Sequence, residues 1–407
     1  MRKVGILAYC SACNFGAQLQ LLSTYYYFKK KDVDAIVIDW IPYDLEKKYS
    51  KNCTFEQLQL FENERARLWK QSARCHTAEE IAKIIVDEGI EAIVIGSDAV
   101  MQHHPFWECV KFPTKKIYGI NHPSSDRLFP NPFWGTFNDY LNKPVPAVIL
   151  SGSNQDSRFG YIGRKTKLLM SRRLHQMKYI SVRDTWTQKM VISITKGAII
   201  PNITPDPVFA FNFNANEIIP SKEDIINKFG LSSDYLLFSF HDSGIVTQQW
   251  LNEIQSIAKA DNLQCVNLPY ADVLGYGNLE KNIDLPLSPI DWYALIKYSK
   301  GYIGQNMHPI VVSLHNAVPF YAFDNYGMRK LNGLFIDEKT SKVLHILKTA
   351  GFEKNRISCI SRFYKQPDPC SVYDAIINFD KCKCSDFSKF YYEEYVKNMN
   401  KIEKAIN

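Results

Sequence analysis

Val4-Gly5-Ile6-Leu7-Ala8-Tyr9 leads straight into Cys10-Ser11-Ala12-Cys13-Asn14-Phe15-Gly16-Ala17, and a Leu- and Tyr-rich segment follows as far as Lys30. The opening run has the length of a buried strand, and the segment behind it that of a helix. The same pair recurs along the first half. Residues 35–39, 92–96, 147–150, 178–182 and 198–201 are further apolar runs with helical stretches between them. One such stretch, 77–86, opens on Thr77 with Glu80 three residues on, the spacing of a capping box. Val- and Ile-rich runs that do not alternate with polar residues, separated by helices, predict a parallel sheet covered on both faces.

Two stretches break this rhythm. Residues 101–146 are rich in Pro, Phe, Trp and Asn without a period, which predicts an insertion with local structure or a binding element. Residues 201–216 hold Pro201, Pro205 and Pro207 and then a polar run, the expected domain boundary. Beyond it the alternation restarts, with strands expected at 235–240, 264–268, 301–304 and 318–323. Helices are expected at 248–260, 290–299 and 309–316, and a terminal one at 389–405. The fold class is therefore α/β: two Rossmann-like domains, residues 1–210 and 217–370, facing across a cleft, with a helical tail at 371–407. In open α/β sheets ligands sit at the carboxyl ends of the strands, so the cleft is the expected site.

Composition agrees with two cores. The chain has 407 residues, of which 46% are hydrophobic and 22% charged, too apolar for a disordered protein and long for one domain. The formal charge of +7 is carried by scattered residues with short runs at Lys29-Lys30-Lys31 and Arg172-Arg173. A nucleic-acid binder concentrates its cations on one face, so an anionic small molecule or membrane surface is the expected partner instead. No apolar window reaches the ~18 residues of a membrane span. With no export signal and ten irregularly spaced cysteines, reduced thiols and a cytoplasmic location are expected.

The strand-to-helix turns hold the candidate chemistry. The turn around Asn14 and Gly16 exposes backbone N–H groups to an anion, or is an ordinary tight turn. It is neither a G-x-G-x-x-G nor a P-loop, so nucleotide binding is not indicated. Cys10-x-x-Cys13 could be redox-active, but nothing else supports that role, and a zinc site lacks further ligands nearby. Gly96-Ser97-Asp98 places a carboxylate at a strand end, where it either binds substrate or caps a helix. Ser181-Val182-Arg183-Asp184 makes Asp184 an N-cap and leaves Arg183 at the sheet mouth, as an anion holder or an ion-pair partner. Gln305-Asn306-Met307-His308-Pro309 sets His308 at a helix start, as a general acid–base or a packed histidine. His315 is expected to be structural.

Taken in order, these turns resemble the polysaccharide pyruvyl transferase family along nearly the whole chain. The family pattern of a strand, Asn-Tyr/Phe-Gly-Ala and a Leu-Gln helix is matched by Asn14-Phe15-Gly16-Ala17-Gln18-Leu19-Gln20. Its Gly-Ser-Asp turn, Ser-x-Arg-Asp/Glu turn and Asp-Pro are matched at Gly96, Ser181 and Asp206-Pro207, and its second-domain histidine at His308. The resemblance implies a GT-B-like pair of domains and transfer of a pyruvyl group from phosphoenolpyruvate to a saccharide, closing a cyclic ketal in surface-polysaccharide assembly. It implies His308 and Asp98 as catalytic, and Arg183, Asn14, Gly16, Ser97 and Asn306 as substrate-binding. Phosphoenolpyruvate is then the donor substrate, with no cofactor or metal expected. The acceptor is expected to be lipid-linked, with peripheral contact at the inner membrane face. The chain departs from relatives that carry Thr-Asp-Ser/Arg-Phe-His-Gly, having Gly304-Gln305-Asn306-Met307-His308-Pro309. A GT-B glycosyltransferase using a nucleotide sugar and a non-catalytic glycan-binding relative remain as alternatives.

Overall fold

A computed structural model describes residues 3–105, 110–111, 119–120, 123–155, 157–330 and 335–407. The apolar runs form two six-stranded sheets. The first contains β1 (Lys3–Leu7), β2 (Asp34–Val37), β3 (Ala92–Asp98), β4 (Ala147–Gly152), β5 (Tyr179–Val182) and β6 (Asn202–Ile203), in the order β2-β1-β3-β4-β5-β6. Every pairing is parallel, with Val4 opposite Ala92 and Leu7 opposite Ile95 across β1 and β3. The second contains β7 (Tyr235–Ser239), β8 (Gln264–Asn267), β9 (Lys281–Asn282), β10 (Gly301–Gly304), β11 (Phe320–Asp324) and β12 (Arg356–Ser358), in the order β9-β8-β7-β10-β11-β12. It too is parallel throughout. Both orders reverse beside the first strand of the sheet, which opens a crevice between β1 and β3 and another between β7 and β10.

Helix α1 (Phe15–Lys30) follows β1 and is buried almost all round. The reason is that it packs against both halves. Phe15 stacks on Trp292 with ring centroids 5.3 Å apart, and Tyr27 meets Tyr395 edge-on at 6.0 Å. Tyr395 belongs to the terminal helix at Lys381–Ile406, which returns from the second sheet to the first. There Tyr179 Oη donates to Asn398 Oδ1 at 2.9 Å. The expected capping box is present, with Glu80 accepting from the Thr77 N–H and Thr77 Oγ1 from that of Glu80, at the start of the helix Ala78–Glu88.

Two expectations need correction, and two stretches that carried no element assignment take shape. The edge strand lies at Asn202–Ile203 instead of 198–201, because Pro201 has no N–H for the ladder that pairs Ser181 with Asn202. Residues 43–68, which carry no clear sequence signal, form α2 (Tyr43–Asn52) and α3 (Phe55–Leu68). These helices bring Cys53 to Cys13, expected as a reduced thiol, and the two form a disulfide across a Cα–Cα distance of 6.7 Å. In the Pro- and aromatic-rich stretch, the described part is a short antiparallel pair, Val110–Lys111 with Gly119–Ile120, and a run of short turns that buries Phe133, Trp134 and Phe137 against the first sheet. Its residues 106–109, 112–118 and 121–122 lie outside the described residues.

Candidate functional site

The two crevices open into one cavity of about 340 Å³, lined from both sheets. The first sheet contributes the turn from Tyr9 to Ala17 and Asp98. The second contributes Ser239 and His241 behind β7, and Asn306 and His308 behind β10.

Asn14 caps α1, its side-chain oxygen accepting from the Ala17 N–H at 3.0 Å. Asn306 stands before helix α10 (Met307–His315) in the same position, so two helix N-termini approach the cavity from opposite halves. Both present partial positive charge from unpaired N–H groups, which favours an anion. His308 lies in the first turn of α10 and reaches across to α1. An ideal Cβ on Gly16 would fall 2.0 Å from His308 Nδ1, so the close approach of the imidazole requires glycine there.

Burial pushes the His308 imidazole down to about 4, against the pull of Asp206 and Asp98. The ring is neutral at ordinary pH. Its Nε2 is buried without a hydrogen-bond partner among the described residues and lies 3.9 Å from Asp206 Oδ2. Asp98 ends β3 with φ +80°, a conformation that side chains with a Cβ seldom adopt. Burial would raise its carboxyl, but Arg183, followed by His308 and Lys342, holds it below the usual carboxylate range.

Arg183 does not line this cavity. It is 3% exposed and spans two carboxylates, with Nη1 2.8 Å from Asp206 Oδ2 and Nη2 3.3 Å from Asp98 Oδ1. Burial would lower the guanidinium, and the two aspartates keep it charged. Asp206 also accepts from Gln20 Nε2 of α1 at 2.5 Å. Ser97 is buried too, its hydroxyl donating to the Ser151 carbonyl at 2.9 Å. Asp184 caps its helix as expected, accepting from the Thr187 N–H. His315 is structural: its Nε2 accepts from the Asn212 N–H, and burial pushes it down to about 3. Cys10 is a buried thiol that donates to Asp39 Oδ1 at 3.3 Å.

Thus Asn14, Gly16, Asp98, Asn306 and His308 meet around one cavity, whereas Arg183 and Ser97 lie behind it. Sequence reasoning missed the cations of the lining, Arg127 and Lys342. Lys342 opens helix α11 (Lys342–Ala350), with its Nζ 4.4 Å from the Tyr326 ring centroid. His241 was also missed, although its place just behind β7 is the position that flagged the other turns. Its ring stacks on Tyr270 at 3.8 Å and its N–H donates to Gln305 Oε1 at 2.8 Å.

Two parallel Rossmann-like sheets facing across a ligand-sized cleft define a GT-B-type chain. Solved structures share the arrangement at low identity. One is the UDP-GlcNAc 2-epimerase from Methanocaldococcus jannaschii, 10% identical with a TM-score of 0.50, over 97% of this chain and 100% of that one. Another is Arabidopsis thaliana UGT89C1 complexed with quercetin, 7% identical with a TM-score of 0.51, over 100% and 99%. At such identities the likeness is one of fold. No curated protein matches the chain in sequence. A family model of polysaccharide pyruvyl transferases matches residues 14–326, and the chain belongs to that family of transferases.

Proposed function

We propose that the protein moves the enolpyruvyl group of phosphoenolpyruvate onto two hydroxyls of a saccharide, forming a pyruvate ketal for surface-polysaccharide assembly. The observation that carries this reading is a neutral, buried imidazole, that of His308, in a cavity where two helix N-termini and two cations converge.

The reaction needs a proton moved from oxygen to carbon. His308 takes the proton of the first sugar hydroxyl, and the oxygen bonds to the central carbon of the donor. As that bond forms, the electron pair of the double bond takes a proton at the methylene carbon, which becomes methyl, and the imidazolium, which burial disfavours, is the acid that supplies it. The second hydroxyl then bonds to the same carbon, its proton leaving with the phosphate as the carbon–oxygen bond to phosphate breaks. Lys342 and Arg127 hold the phosphate and carboxylate of the donor and stabilise the charge that develops on the leaving group. Arg183, with its guanidinium between Asp98 and Asp206, is a positioning residue that fixes the carboxylates around His308.

Phosphate release from phosphoenolpyruvate with saccharide diols tests the reading, beside thermal melts with the donor alone. At about 100 times its Kd a ligand stabilises by about 2.7 kcal/mol, a shift easily seen. The wild type should show both effects. His308→Ala should keep the thermal shift and lose turnover, and Lys342→Ala should lose the shift. A wild type that is neither stabilised nor releases phosphate refutes the donor, and stabilisation by UDP instead would favour the nucleotide-sugar alternative.

A further inference from the structure

The cations are scattered along the chain, but so are the acids, and the two fail to balance in one stretch. Seven of the 49 Lys and Arg residues lie between Arg158 and Lys178, a stretch without Asp or Glu, which leaves 42 against 42 in the rest of the chain. Most of this stretch is the helix α5 (Arg164–Gln176) between β4 and β5. Met170 and Leu174 are its buried face. The opposite face, at helical spacing, carries Arg164, Lys165, Leu168, Leu169 and Arg172, all exposed. Leu168 is 55% and Leu169 41% exposed, and Tyr161 just before the helix is 64% exposed.

Folding does not account for this face. The first turns of α5 hold Arg164, Lys165 and Lys167 and no acidic residue, so the cations stand at the end of the helix dipole that repels them. Among the described residues, Arg173 is the only cation of α5 in an ion pair, with Asp139. The leucines are not needed for packing, since Met170 and Leu174 already supply it.

We propose that this face of α5 docks the protein on an anionic lipid surface. Cations interleaved with exposed leucines on one helix face fit the interface of such a bilayer, where Lys and Arg meet headgroups and the apolar side chains enter the acyl boundary. A second copy of the chain would set the same cations against one another. A nucleic acid would use the cations but leave the leucines in water. The orientation serves the cleft. In a parallel sheet the helix after a strand starts at that strand's carboxyl end, and Gln155, in the loop between β4 and α5, lines the cavity. Contact through Arg164, Lys165 and Leu168 therefore brings the cleft side of the first sheet to the membrane. This inference goes beyond the pyruvyl reading and does not depend on it.

Co-sedimentation of the full chain with vesicles tests it, without donor or acceptor. The vesicles are phosphatidylcholine alone, or phosphatidylcholine with roughly one-third phosphatidylglycerol. The wild type should sediment with the anionic vesicles, less at high salt, and not with the neutral ones. The triple variant Arg164→Gln, Lys165→Gln, Arg172→Gln should bind on the order of 100-fold more weakly, from about a factor of five for each cation. The double variant Leu168→Ser, Leu169→Ser should also bind more weakly at unchanged charge. Unchanged thermal midpoints show that both variants fold. The proposal is overturned if the wild type ignores anionic vesicles, or if both folded variants bind like the wild type. It is also overturned if the leucine variant keeps full binding while the wild type retains single-stranded RNA better than vesicles, which would assign the face to nucleic acid.

Discussion

Gly16→Ala tests the join between the two halves of the site. The new Cβ would stand 2.0 Å from His308 Nδ1, 2.1 Å from Cγ and 2.5 Å from Cε1. Ordinary contact begins near ~3.5 Å, so the imidazole must retreat by roughly 1.5 Å or the two helices must part. Overpacking of this kind costs about 1–3 kcal/mol. Alanine is better than glycine inside a helix by about 1 kcal/mol, which offsets part of the loss because Gly16 lies in the first turn of α1. The net change should be a destabilisation of about 0–2 kcal/mol. In a His308→Ala background the obstacle is gone, and the same substitution should stabilise by up to about 1 kcal/mol. Denaturant melts of the four proteins of this cycle measure a coupling of about 1–3 kcal/mol without any knowledge of the substrate. On the reading proposed above, moving the imidazole by more than 1 Å in the otherwise wild-type chain should also cost about 100-fold in the rate of phosphate release. If Gly16→Ala has the same effect on stability in both backgrounds, the imidazole does not rest on Gly16, and the site assembled from the two halves is wrong.

Arg183→Ala leaves Asp206 and Asp98 buried without their cation and should cost about 3–5 kcal/mol in a denaturant melt. A variant that folds like the wild type and only binds donor more weakly would restore Arg183 to the cavity. His308 titrates near 4 when folded and near 6.5 when unfolded, so between those values the unfolded chain binds the extra proton and stability falls as the pH falls. Between pH 7 and 5 the wild type should lose about 2 kcal/mol more than His308→Gln, measured by melts at both pH values. Equal losses would mean that the imidazole is not held neutral. Reduction of the bond between Cys13 and Cys53 frees a loop of 40 residues and should cost up to about 4 kcal/mol on a chain-entropy account. A Cys53→Ser variant should melt low and be indifferent to dithiothreitol, and a variant still shifted by the reductant would point to another cause.

The sheets were legible because their strands are buried on both faces and therefore written in unbroken apolar runs, as at 92–96 and 301–304. Helix α2 buries only Leu45, and β12 is three half-buried residues, so neither leaves such a run. Missing β12 also hid α11, which crosses to it from β11, and with it Lys342. Arg183 was placed at the mouth of β5 rightly, but its partners Asp206 and Asp98 come from 23 and 85 residues away. A local pattern shows that a guanidinium is present, whereas its availability to a ligand depends on carboxylates brought in by the fold. The strand-end turns pointed to the cavity lining where a helix N-terminus itself faces the cavity, as at Asn14 and His308.

The altered turn before His308 can be understood residue by residue. Where relatives have an acidic residue, Gln305 is buried, accepts from the His241 N–H through its side chain and from Tyr302 Oη through its carbonyl. Met307 takes the aromatic position and is buried in the core. Pro309 falls in the first turn of α10, where its missing N–H would have had no intrahelical partner, so no helix bond is lost. Gln305, Met307 and Pro309 thus each fit their place in this fold. Asn306 is different, since it stands where relatives carry Ser or Arg and its backbone is held at φ 73° and ψ 156°. That region is nearly restricted to glycine and costs on the order of 1–3 kcal/mol for other residues. Asparagine is uncharged, so on the reading proposed above an anionic donor meets its cation elsewhere in the cavity. Among the described residues lining the cavity, the permanent cations are Arg127 and Lys342, and Lys342 arrives on the N-terminus of α11. On that reading, Asn306 brings no charge to the histidine turn, and Lys342 and Arg127 are the cations of the lining that meet the anionic donor.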